Sequence, residues 1–63
     1  MMPNDFVYRN CFKIGINIGL SDRDSGEIAA ESLRMFKRGK LKKSTDVFKW
    51  AESESKRKRR AAR

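Results

Sequence analysis

The chain of 63 residues has no histidine, one cysteine, one proline, one tryptophan and one tyrosine. Without histidine the commonest general base is missing, and no nucleophile–base pair or phosphate loop stands in for it, so the chain is not expected to be an enzyme. Cys11 alone closes no internal disulfide and belongs to no zinc ligand set, so neither metal nor cofactor is expected. Beside Phe12 it reads as a small buried apolar residue rather than a reactive thiol. Long hydrophobic runs are also lacking. Lys13 and Asn17 interrupt the one apolar stretch, which is too short to span a bilayer, and Met1–Asp5 lacks the basic start of a signal peptide. The expected setting is intracellular and reducing, without a membrane or small-molecule partner.

Acidic residues are scarce in half of the chain. From Met1 to Leu33 there are three basic and five acidic residues, a net −2; from Arg34 to Arg63 there are thirteen and three, a net +10. A polyanion is the partner such an imbalance favours. Hydrophobic and charged residues each make up 38%. So small and so charged a chain builds a marginal core, and is expected to be ordered largely by what it binds.

The most regular stretch is Glu27–Arg38. At 100° per residue, Ile28, Ala29, Leu33, Met35 and Phe36 share an arc of about 160°, the width of a helix packed on one side. Arg34, Lys37 and Arg38 fall outside it. Asp24 with Glu27 has capping-box spacing for the start, within a polar turn Ser21–Gly26, and Gly39 suits the end. Before this helix, Met1–Asn10 reads as irregular or a short helical turn. From Phe12 to Leu20, five apolar residues alternate with Lys13, Gly15, Asn17 and Gly19, which predicts a short strand that must pair with another chain or lie against a partner. After Gly39, Lys40, Lys42 and Lys43 form a basic connector. Ser44 or Thr45 caps a second helix from about Asp46, with Val47, Phe48, Trp50 and Ala51 as its apolar surface.

The expected architecture is therefore mainly α: a short N-terminal β-like strand, two helices and a basic helical or extended tail. It divides into a strand–helix–helix unit over residues 1–51 and an extension over 52–63. Lys56, Arg57, Lys58, Arg59 and Arg60 are consecutive cations that suit a phosphate-binding arm, with Arg63 beyond them. Phe48 and Trp50 among the cations are candidates for base stacking, and ordinary packing is their other reading.

Leu33-Arg34-Met35-Phe36-Lys37-Arg38 resembles a signature of small-subunit ribosomal protein twenty-one of bacteria and organelles. The Ile14–Ile18 segment, Phe48 and the run Ser53–Arg63 follow the family's order, so the likeness spans Lys13–Arg63. The chain would be a divergent member, with a shorter interval from Arg38 to Phe48 and an additional Met1–Cys11 segment. The resemblance implies an RNA-binding structural protein of the small ribosomal subunit, cytoplasmic or organellar, held by rRNA near the platform and by neighbouring ribosomal proteins, and supporting translation initiation. Arg34, Lys37 and Arg38 would face RNA and Lys56–Arg60 would follow phosphates. Two other classes share the outline: a ribbon-helix-helix DNA-binding dimer, and a small phage-type inhibitor whose strand augments a host sheet.

Overall fold

Val7, Cys11, Ile14, Gly15 and Ile18 recur at the spacing of one helix face, and they form the inner face of α1 (Pro3–Ile18) in the computed structural model of the chain. The structure describes residues 3–41 and 43–61, with side chains from Asp5 onward. Two more helices follow, α2 (Asp22–Lys37) and α3 (Ser44–Ala61), and no strand occurs among the described residues. Proline suits the first turn of a helix because its missing N–H has no intrahelical acceptor there.

The strand expected over Phe12–Leu20 is thus helix and turn. Its period-two alternation spreads Phe12, Ile14 and Ile16 around α1, leaving Ile16 exposed, while the helical stripe begins earlier, at Val7, in the stretch read as irregular. The two glycines that argued against a helix have separate roles. Gly19, at φ 109°, lies just past the helix end. Its N–H reaches the Ile16 carbonyl at 3.0 Å and the Leu20 N–H reaches Gly15 at 3.0 Å, a Schellman closure that buries Leu20.

Gly15 sits inside α1, where glycine costs up to about 1 kcal/mol relative to alanine. What it permits is a close crossing of α1 on α2. A Cβ at Gly15 would stand 2.7 Å from Ser25 Oγ and 3.0 Å from Ser25 Cα. Small residues continue this seam: Cys11, Ala29, Ser25 and Ser32 are fully buried, as are Ala51 and Ser55 of α3. Burial pushes the Cys11 thiol up, against a smaller opposing effect of its hydrogen bond with Ser32. The expectation of a small buried cysteine holds.

α2 begins five residues before the predicted start. Ser21, not Asp24, is its N-cap, its Oγ accepting the Asp24 N–H at 3.2 Å. Asp22 and Asp24 then lie in the first turn, where carboxylates oppose the positive helix end. The predicted end holds: Gly39 has φ 76°, and Gly39 and Lys40 donate to Phe36 and Met35, a second Schellman closure. Ile28 and Ala29 are buried, while Leu33, Met35 and Phe36 are half-buried and Arg34, Lys37 and Arg38 exposed.

α3 starts at Ser44, two residues ahead of expectation, with Asp46 and Val47 N–H groups donating to the Lys43 carbonyl. It buries Val47, Ala51 and Ser55 at intervals of four. The helix does not become a solvated rod after Ala51 but stays packed, because serine continues the small-residue face. Phe6 meets Phe48 at one end, and Arg59 lies beside Gly19 at the other, so α3 runs parallel to α1 and antiparallel to α2. The body measures 34 × 21 × 15 Å. The three helices cover one another's inner faces.

Two glycines in this packing respond oppositely to alanine. At Gly26 the nearest atom to an added Cβ is the Tyr8 hydroxyl at 3.7 Å, an ordinary contact. Gly26→Ala should stabilise by about 0.5–1 kcal/mol through helix propensity, whereas Gly15→Ala should destabilise by about 1–3 kcal/mol through overpacking. Thermal melts followed by circular dichroism check both signs.

Candidate nucleic-acid interface

The predicted cations separate into two groups at opposite ends of the bundle. Arg34 and Lys37 lie in the last turn of α2, followed by exposed Arg38, Lys40 and Lys43. Lys56–Arg60 lie at the other end, because α3 is antiparallel to α2 and Lys58 reaches back to its first turns. Glu27, the partner of Lys58, is about 15 Å along the α2 axis from Lys37 at 1.5 Å per residue. Lys42 and Arg63 fall outside the described residues.

The run Lys56–Arg60 is helical, so five adjacent cations point to all sides rather than to one surface. Two of them lie against neighbouring elements. Lys58 Nζ lies 2.6 Å from Glu27 Oε2 and 3.9 Å from Asp24 Oδ1, tying α3 to the acidic first turns of α2. The Arg59 side chain passes over Gly19, 3.5 Å from where its Cβ would stand. α1 has no basic residue of its own in its last turn, so Arg59 supplies the cation that opposes the negative end of that helix. Lys56 and Arg57 pair locally with Glu52 at 3.1 Å and Glu54 at 3.5 Å, and Arg60 is exposed.

The α2 end differs. Arg34 pairs with Glu31 at 3.1 Å, but among the described residues no carboxylate comes within ion-pair range of Lys37, Arg38, Lys40 or Lys43. Nor does one approach Arg9 or Lys13 on α1, two cations that sequence reasoning left out of the site. Their signal was present in the spacing: Arg9 and Lys13, like Tyr8 and Phe12, are four residues apart and share a helix face. Reading Phe12–Leu20 as a strand hid that face.

The aromatic residues are also redistributed. Phe48 meets Phe6 edge to face, with ring centroids 5.8 Å apart, and both Phe48 and Trp50 are half-buried against the core. Exposed Tyr8 and half-buried Phe12 hold their rings nearly parallel, centroids 6.5 Å apart and planes at 18°. Shallow grooves on either side of Tyr8 are lined by Arg9, Phe12 and Lys13, and by Leu33, Arg34 and Lys37.

Among the described residues no helix is long and apolar enough to cross a membrane. Comparison of the chain with protein-family models, with curated proteins and with solved structures gave no match.

The Lys58 clamp makes stability depend on pH. The hydrogen bond and charge of Lys58 hold the Glu27 carboxyl below its usual range, and the same hydrogen bond raises Lys58. A depressed carboxyl contributes stability above its unfolded pKa and loses it as pH falls through the folded one; a raised ammonium contributes below its unfolded pKa and loses it as pH rises through the folded one. The clamp is therefore intact at neutral pH and fails toward both extremes. Lys58→Met should lower the melting temperature modestly near pH 7, since the pair is solvent-exposed, and the difference from wild type should shrink as acidification protonates Glu27.

Proposed function

We propose that the chain is a structural RNA-binding protein that grips phosphates with the cationic end formed by α2 and its following turn. The observation that carries this reading is the exposed set Lys37, Arg38, Lys40 and Lys43, free of acidic partners among the described residues. Backbone phosphates supply such sites with most of their affinity and with a steep salt dependence. The exposed members of the α3 run, Lys56, Arg57, Arg59 and Arg60, offer a second phosphate contact at the far end of a body 34 Å long. Two separated contacts suit a folded RNA, which presents phosphates from different strands at such spans.

The small ribosomal subunit is the specific setting we propose, on the strength of the Leu33–Arg38 signature and the basic run that follows it. In that setting the partners are rRNA and adjoining ribosomal proteins, and the role is to support initiation near the platform. The ribbon-helix-helix and strand-augmentation alternatives both rest on a strand over Phe12–Leu20, a segment that is helical through Ile18.

Sedimentation of tagged protein from gently lysed native cells tests the setting. The expected result is co-migration with small subunits, lost after RNase treatment or at high salt; protein remaining at the top of the gradient in every arm would contradict it. The double reversal Lys37→Glu with Arg38→Glu should abolish that association. In binding assays on single-stranded RNA it should also flatten the salt dependence by about 1.4 in log–log slope, two phosphate contacts' worth.

A further inference from the structure

Tyr8 is one of three large apolar residues, with Phe6 and Ile16, that packing leaves exposed among the described residues. It is 38% exposed although α1 has a complete inner face without it, and every groove described above meets at its ring. The ring lies across the junction of α1 and α2, with its hydroxyl 3.7 Å from where a Cβ on Gly26 would stand. The half-buried Phe12 ring stands beside it with its plane 18° from that of Tyr8 and its centroid 6.5 Å away, and half-buried Leu33 closes the patch on the α2 side. Arg9, Lys13, Arg34 and Lys37 surround this platform. Two carboxylates are near: Asp5 on one rim, and Glu31, which is engaged by Arg34.

Resting on the RNA reading above, we infer that the Tyr8–Phe12 platform is a stacking site for an unpaired base, with phosphates on either side held by Arg9 and Lys13 and by Lys37. Planar aromatic faces interleaved with cations are the recurrent means of holding single-stranded nucleic acid, because every base has a π-face and every linkage a charge. A partner helix is the poorer occupant. Its apolar stripe would need a longer greasy trough than Tyr8, Phe12 and Leu33 provide, and cations close the patch on both sides. The site gives the protein a preference for RNA with a bulged or looped-out nucleotide over a continuous duplex, which phosphate contacts alone do not give.

Fluorescence anisotropy with three labelled probes tests the inference: a 12-nucleotide unstructured RNA, a duplex RNA of matched length and an oligoglutamate peptide. Tyr8→Leu keeps an apolar side chain but removes the flat ring, and circular dichroism confirms that the helices remain. It should weaken single-strand binding roughly tenfold while changing duplex binding less than twofold, and Tyr8→Trp should restore or exceed wild-type affinity. Arg57→Glu with Arg60→Glu, on the far end of α3, should weaken both RNAs alike and leave the preference intact. If Tyr8→Leu weakens both RNAs equally or neither, the stacking site is wrong while phosphate binding stands. If wild type binds neither RNA, both readings fall; if it holds oligoglutamate more tightly than RNA and loses it on Tyr8→Leu, the platform belongs to an acidic peptide instead.

Discussion

The close crossing of α1 and α2 at Gly15 and Ser25 is the constraint from which the rest of this small structure follows. Helices separated by glycine, alanine, serine and cysteine approach closely, and only Val7, Leu20, Ile28 and Val47 among the larger aliphatic residues are well buried. A narrow seam leaves no interior for rings. Phe12, Leu33, Phe36, Phe48 and Trp50 therefore sit half in and half out, and Phe6 and Tyr8 are exposed. The seam also carries a cost. The hydroxyls of Ser25 and Ser55 are buried without a hydrogen-bond partner, a penalty of about 1–3 kcal/mol for each such group. The outward aromatic surface is thus a consequence of how the core is built, and the cations beside it give that surface a use.

Charge divides along the same geometry. The basic half of the sequence looks like one continuous binding element, but folding assigns its members different tasks. Lys58 and Arg59 complement the acidic start of α2 and the end of α1, whose last turn has no cation of its own, holding the third helix where its apolar residues have run out. Lys37, Arg38, Lys40 and Lys43, past the last carboxylate of α2, are left without an ion-pair partner among the described residues. Two Schellman closures at Gly19 and Gly39 keep the connections short, so the cations after α2 emerge from a defined turn.

Much of this was legible in the residues and some was not. The helix around Leu33, its glycine stop, the outward Arg34, Lys37 and Arg38, the helix through Val47–Ala51 and the buried Cys11 all follow from local pattern and capping chemistry. The first helix was missed because Phe12, Ile14, Ile16, Ile18 and Leu20 satisfy a period of two, while the residues that face inward at helical spacing, Cys11 and Gly15, are not conspicuously apolar. A seam of small side chains has little hydrophobic signal. The same blindness hid Ser25, Ser32 and Ser55 as interior positions, and with them the packing of the helical tail against the bundle. Which cation meets which carboxylate depends on the antiparallel register of α2 and α3, a tertiary fact that no local pattern carries.

The central claim is that close packing of α1 on α2 presents one cationic, aromatic face to RNA. Amide chemical-shift mapping on the isotopically labelled chain, titrated with an unstructured RNA, tests it most directly. The account predicts that the largest shifts cluster in two stretches distant in sequence, Tyr8–Lys13 and Leu33–Lys43, with smaller ones over Lys56–Arg60. Shifts confined to Lys56–Arg60, with the Tyr8–Lys13 amides unmoved, would contradict it.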